Sequence, residues 1–263
     1  MKYLTKSVIV LRTALFYLTF ACIAATWLIP SVLAYLFLPI KPRNYVILGG
    51  FSLLLCWAAR LICGIRWQVT GLENFKNLNQ PCIILSKHQS TWETFFLPLI
   101  MLPQVQVVKR ELFMIPFFGW QLKMIDPIAI DRSQKSKSLK QLLSQGKDRL
   151  ERGMHVLIFP EGTRVKPGLR KEFSKGAAML ATHTKTPVIA VAHNSAEFWP
   201  NRGWLKYPGT VKVVISPVFD ASSMSAQELN QATESWINEQ VDAISATPFS
   251  GEYSQERTSG KRF

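Results

Sequence analysis

Uncharged residues run unbroken from Thr13 to Leu38, a stretch of 26 positions. At about 1.5 Å rise per residue, a helix of that length covers a hydrocarbon core of about 30 Å, with Pro30 as a point where it would kink. The apolar region of a signal peptide runs to about 7–15 residues, so the length predicts a retained anchor. A second apolar stretch, Tyr45 to Ala59, resumes past Arg60 as Leu61-Ile62-Cys63. Its 15 uncharged residues are short for a crossing. The intervening Pro39-Ile40-Lys41-Pro42-Arg43 carries two positive charges, which resist translocation. Lys2, Lys6 and Arg12 precede the first run, and no acidic residue occurs before Glu73. The pattern predicts a two-helix membrane hairpin over residues 1–65, its positive flanks suited to an anionic cytoplasmic leaflet. Dipping into one leaflet and crossing the bilayer both fit this charge pattern. A pair of buried core helices is disfavoured, because such helices seldom run so far without a polar face.

From Arg66 onward, short apolar runs alternate with segments of helical period. Strands are predicted at 66–69, 82–85, 105–108, 125–130, 155–159, 188–192 and 211–215, and helices at 91–97, 136–152 and 174–183. Strands alternating with helices imply an α/β domain with a mainly parallel or mixed sheet, here over residues 66–247. The 136–152 helix carries Lys137, Lys140, Lys147 and Arg149, preceded by Lys135, on what reads as a solvated face. Ser225-Ala226-Gln227-Glu228 matches a capping box, and Leu229, Ala232, Trp236, Ile237, Val241 and Ile244 follow at helical spacing. The polar tail, residues 248–263, is expected to be disordered.

Composition sharpens this picture. Hydrophobic residues make up 48% and charged residues 18%, below the usual quarter for soluble domains. The net charge of +14 favours an anionic partner: nucleic acid, anionic lipid or a phosphorylated substrate. The bases are dispersed, no recognition motif is present, and an apolar hairpin has no use on nucleic acid, so that class drops out. Cys22, Cys56, Cys63 and Cys82 each sit in an apolar run without a CxxC pair, and are expected as buried reduced thiols. No GxSxG, GxxxxGK or HExxH motif occurs, and the four histidines are scattered, so no metal site is expected.

Three segments could carry chemistry. Ser86-Lys87-His88-Gln89-Ser90-Thr91-Trp92-Glu93 follows an apolar strand. His88 therefore falls at the carboxyl end of a strand, where open α/β sheets place their ligands. With His88 in a loop and Glu93 in the first helical turn, the carboxylate could orient the imidazole as a base. Ser90-Thr91-Trp92-Glu93 is also a capping box, so Glu93 could serve only the helix start. Both readings stand at this point. Phe159-Pro160-Glu161-Gly162-Thr163-Arg164 is a turn after a strand, with an Arg suited to bidentate phosphate binding. Lys109-Arg110-Glu111 opens the apolar stretch Leu112–Trp120, either a core-packing edge loop, or a phosphate contact beside an acyl-chain wall or a surface on the bilayer.

In this order and spacing the segments resemble the lysophosphatidic acid acyltransferase family of glycerolipid acyltransferases. The His-x4-acid motif reads His88 to Glu93, with Glu where Asp is more frequent. The second motif resembles Lys109 to Gly119, the third Glu161-Gly162-Thr163-Arg164, and the fourth the strand after Thr186-Pro187. The resemblance covers about residues 66–217. It implies that His88 is the general base and Glu93 its orienting partner. It further implies that Arg164, then Lys109, bind an acceptor phosphate in a pocket shaped by Glu161, Gly162 and Thr163, with Arg132 as a further phosphate contact. It implies direct acyl transfer from acyl-CoA or acyl carrier protein to a lysophospholipid, without metal or other cofactor. The implied location is the cytoplasmic face of the inner membrane. Another acceptor, a thioesterase activity, or a non-catalytic anionic-lipid-binding protein of the same fold are the competing readings.

Overall fold

The computed structural model describes residues 5–130 and 135–254. Arg132 lies outside the described residues. The chain opens with two long apolar helices, α1 (Lys6–Phe37, interrupted at Trp27) and α2 (Ile40–Cys63, with π-helical turns at Tyr45–Gly50 and Ala59–Cys63). Each is long and apolar enough to cross a membrane. The break in α1 falls at Trp27, just before Pro30, because proline cannot donate to the helical ladder and clashes with the preceding turn.

Seven strands follow: β1 (Ile65–Thr70), β2 (Ile83–Ser86), β3 (Gln104–Lys109), β4 (Ile128–Ile130), β5 (His155–Ile158), β6 (Val188–His193) and β7 (Gly209–Ile215). They form one sheet in the order β1-β7-β6-β2-β5-β3-β4. Every pairing is parallel except β6 with β7. The central strands β2 and β6 are buried along their whole length, which is why they read as unbroken apolar runs rather than as alternation. Five helices join the strands: α3 (Leu72–Lys76), α4 (Trp92–Ile100), α5 (Phe118–Met124), α6 (Lys135–Glu151) and α7 (Gly176–Thr184); α8 (Ala226–Ile244) closes the domain. The α8 capping box forms as expected, Glu228 N–H donating to Ser225 Oγ and Ser225 N–H to the Glu228 carboxylate.

Two cores flank the sheet. On one face α6, α7 and α8 pack through residues such as Leu142, Leu180 and Ile237. On the other, Phe16 of α1 and Phe51, Leu55 and Ala59 of α2 share a core with Phe95, Phe96 and Ile189. The inner face of the hairpin is therefore one layer of the core of the α/β domain. Both of its ends are fastened. At the open end, Arg12 Nε donates to the Ile62 carbonyl across the two helices, and Lys206 N–H of the α/β domain donates to Thr13 Oγ1 at 3.1 Å. Near the turn, the Asn44 side chain pairs with the backbone of Gln104, giving and receiving at 2.8 and 3.0 Å. The outer face of α1 keeps Leu11, Leu18, Ile29, Leu36 and Phe37 exposed, so one side belongs to the core and the other is an exposed apolar surface.

Two expectations need correction. Cys22 is exposed on α1, unlike the three buried cysteines, because it points away from the sheet. The start of the tail is ordered: Ser254 N–H donates to Arg170 O at 2.7 Å, and the Arg170 guanidinium lies 4.0 Å from the Phe249 ring centre. An aromatic anchor and backbone pairing outweigh the polar composition there.

Candidate active site

The parallel strands β6, β2, β5 and β3 are neighbours in the sheet and point their carboxyl ends the same way. Each is followed by residues with chemical potential: His193 ends β6, His88 follows β2, the Phe159–Arg164 turn follows β5, and Lys109 ends β3. Segments far apart in sequence converge because the sheet order interleaves them.

His88 sits in the loop between β2 and α4. Its Nδ1–H donates to Glu93 Oε1 at 2.9 Å, and its ring stacks on Phe159 with centroids 4.1 Å apart. The other ring nitrogen, Nε2, is the one Glu93 leaves free. Half of the capping reading is met: Glu93 Oε1 accepts the backbone N–H groups of Gln89 and Ser90, both at 2.9 Å, while Ser90 Oγ takes the Trp92 N–H instead of that of Glu93. Glu93 Oε2 accepts the hydroxyls of Ser90 at 2.6 Å and Ser195 at 3.0 Å. One carboxylate thus ties down the loop before the helix and holds the imidazole.

Complete burial opposes ionisation of Glu93. It is outweighed by the charge of His193, by the hydrogen bond and charge of His88, and by the Ser90 hydroxyl, which hold the carboxyl well below its usual range. His193 is itself driven towards its neutral form, chiefly by burial. Its Nε2–H donates to Lys87 O at 2.8 Å and its Nδ1 accepts Ser195 N–H, the pattern of a neutral ring.

The sequence pointed to neither Lys87 nor Ser195. Lys87 is buried and ion-paired to Glu161 Oε1. Glu161 Oε2 accepts His88 N–H at 2.7 Å, and Val165 N–H donates to His88 O at 2.8 Å. The turn after β5 therefore grips both backbone groups of His88. Glu161, expected to shape the phosphate pocket, has its carboxylate turned inward onto Lys87 and the His88 N–H. Gly162, at φ 69°, supplies the left-handed backbone that lets the chain reverse at that point.

In front of His88 lies a cavity of about 600 Å³. Its walls are largely apolar, drawn from Phe20 of α1, Ile47, Leu48 and Phe51 of α2, and Val107, Phe118 and Ile125. Lys109, Gly162, Thr163 and Arg164 line it with His88, as does Asn201, which accepts from Arg164 at 3.1 Å. Another groove, of about 670 Å³, runs between Arg170–Lys175 and α8; it is polar, open and holds none of these residues. Of these two, the first joins an imidazole, cations and an apolar chamber.

Three groups near the sheet share one pH sign. Burial, with Lys41 adding to it, pushes His155 down to about 4; His193 is likewise lowered, and so is Glu93. Histidines held neutral in the fold resist protonation, so their contribution falls as pH drops below about 6.5. The Glu93 contribution is present above the ordinary carboxyl range and is lost only at lower pH. The melting temperature in detergent is thus expected to fall between about pH 7 and about pH 5 through the histidines alone. His155→Asn, which keeps an acceptor for Cys82 N–H, should flatten that slope; an unchanged slope would contradict the assignment.

Comparison with known proteins agrees with this geometry. The model of the Acyltransferase family matches residues 66–194. A 1-acyl-sn-glycerol-3-phosphate acyltransferase of Pseudomonas aeruginosa is 46% identical over 238 residues, 89% of this chain and 92% of its own length. The human 1-acyl-sn-glycerol-3-phosphate acyltransferase beta is 28% identical over 169 residues, 63% of this chain and 60% of its own length. The crystal structure of the 1-acyl-sn-glycerophosphate acyltransferase PlsC of Thermotoga maritima, 23% identical, shares the fold at a TM-score of 0.74 over 90% of this chain and 97% of that one. The strand-end site, the apolar chamber and the near-full-length bacterial match together place the chain in the 1-acyl-sn-glycerol-3-phosphate acyltransferase family.

Proposed function

We propose that the protein transfers a fatty acyl group from an acyl thioester to the free hydroxyl of 1-acyl-sn-glycerol-3-phosphate, forming phosphatidic acid. The observation that carries this reading is the His88–Glu93 pair at an apolar chamber bordered by Arg164 and Lys109. His88 Nε2 takes the proton from the glycerol hydroxyl as its oxygen attacks the thioester carbonyl. Glu93 stabilises the resulting imidazolium. Collapse of the tetrahedral adduct breaks the carbon–sulfur bond, and the departing thiolate recovers the proton from His88. Arg164 and Lys109 hold the acceptor phosphate, with Thr163 beside them. The chemistry needs no metal or cofactor beyond the thioester substrate, and either acyl-CoA or acyl carrier protein satisfies it.

The fastening of both hairpin ends to the α/β domain supports a hairpin lying in one leaflet rather than crossing. Positive flanks before Glu73 favour the cytoplasmic face of the inner membrane.

The test is transfer of labelled acyl groups from acyl-CoA, and from acyl carrier protein, to 1-acyl-sn-glycerol-3-phosphate and other lysolipids in membranes. Phosphatidic acid should be the main product. Arg164→Ala should raise KM for this acceptor about tenfold or more, through loss of a bidentate charged contact. Equal KM values would remove Arg164 from the phosphate site. Activity only on an acceptor without phosphate would overturn the substrate assignment.

A further inference from the structure

Between β3 and α5 the chain makes a feature that the chemistry above does not use. Phe118 N–H donates to Pro116 O at 2.6 Å, closing a γ-turn with Phe117 at φ 60° and ψ −60°. That backbone is rare and strained for a bulky residue. A soluble loop would normally place glycine there and would not present an aromatic at its apex. Here Phe117 is 43% exposed, Met114 80% and Trp120 47%. The Phe117 and Trp120 rings lie 5.3 Å apart and form one apolar knuckle. Gly119 makes the knuckle possible: a Cβ there would lie 2.5 and 2.7 Å from the carbonyl oxygens of Leu112 and Phe113.

What covers this patch follows from its neighbours. Helix α5, which carries Trp120, is fastened to α1: Ser31 Oγ donates to Gln121 Oε1 at 3.0 Å, and Gln121 Nε2 to Ala24 O at 2.8 Å. The knuckle therefore adjoins the exposed apolar side chains Ile29, Leu33, Leu36 and Phe37 of α1. Exposed Lys109 and Arg110 precede it, and Lys123 lies over the Phe113 ring. Aromatic residues flanked by cations match the boundary between head groups and acyl chains. The adjacent Leu112 and Ile115 line the cavity. An acidic carrier protein would call for a charged face rather than this apolar one.

We propose that the Met114–Trp120 knuckle is a second membrane contact, seated in an anionic leaflet beside the cavity. It lets a lysolipid slide from the leaflet into the chamber without crossing water. The functional benefit rests on the acceptor being a membrane lysolipid; the contact itself does not.

The full-length protein carrying Cys22→Ser and Met114→Cys, labelled with an environment-sensitive fluorophore, is bound to phosphatidylcholine–phosphatidylglycerol vesicles. Quenching by brominated lipid chains, with protection from aqueous iodide, is the expected result. A label still open to iodide on vesicles overturns the contact, even if the enzyme makes phosphatidic acid. Protection by acyl carrier protein, or by protein concentration without vesicles, would reassign the face to a protein partner and also overturn it. In parallel, Met114→Ser/Phe117→Ser/Trp120→Ser should slow transfer to a long-chain acceptor in vesicles about tenfold, yet change transfer to a water-soluble short-chain acceptor by no more than about twofold. Equal loss on both would make the knuckle merely structural. A deep label on a protein inactive with every acceptor would leave the contact standing and remove the proposed function instead.

Discussion

Replacing His88 by alanine is expected to lower acyl transfer by a factor of about 10²–10⁴, the usual contribution of a positioned general base. The geometry makes the loss specific. Nδ1 is committed to Glu93, so Nε2 is the sole nitrogen of that ring available to the acceptor hydroxyl. Glu93 keeps the Gln89, Ser90 and Ser195 donors when the ring is removed, so the fold should survive. The measurement is the transfer rate at matched protein level, with circular dichroism to confirm folding. A folded His88→Ala protein at wild-type rate would make the imidazole structural and end the proposed mechanism.

The second large effect concerns Lys87 and Glu161. Both are buried, and each neutralises the other. Removing one partner leaves an unpaired charge inside the protein, which costs about 3–5 kcal/mol. Lys87→Met alone, or Glu161→Gln alone, should therefore lower the melting temperature by about 10 °C. Lys87→Met/Glu161→Gln should recover most of that stability, because no charge is stranded and glutamine still accepts His88 N–H. Activity should return with the double variant, since the backbone of His88 is again held. Additive losses in the double variant would show that the pair does not act as a unit.

The sheet was legible because its strands are short apolar runs whose ends coincide with chemistry-bearing residues. All seven predicted strands occur, although the fourth is shorter than its apolar run, covering Ile128–Ile130. The His88–Glu93 spacing left capping and catalysis as alternatives. The structure makes the contacts that each reading requires of Glu93, since one carboxylate has enough lone pairs to accept from the imidazole and from the Ser90 N–H. That Glu161 turns inward onto Lys87 and the His88 N–H was not legible, because a motif records residue type and order, not the direction of a side chain. Lys87, His193, Ser195 and Asn201 become site residues through strand order, which brings β6 and the chain beyond it beside β2. Local periodicity carries no signal for such contacts. The hairpin was legible as apolar helices. That its inner face serves as core was not, because an all-apolar helix looks the same against lipid as against protein.

The walls contributed by Phe20, Ile47, Leu48 and Phe51 have a consequence for modularity. A protein trimmed to begin at β1 would retain every strand and His88, yet one side of its substrate chamber would open to water. Grafting an unrelated membrane tether in place of the hairpin would restore location without restoring the chamber. Hairpin and cavity wall are one piece of structure, so a chimera with a relative should carry residues before Ile65 together with the β3–α5 region that lines the same cavity.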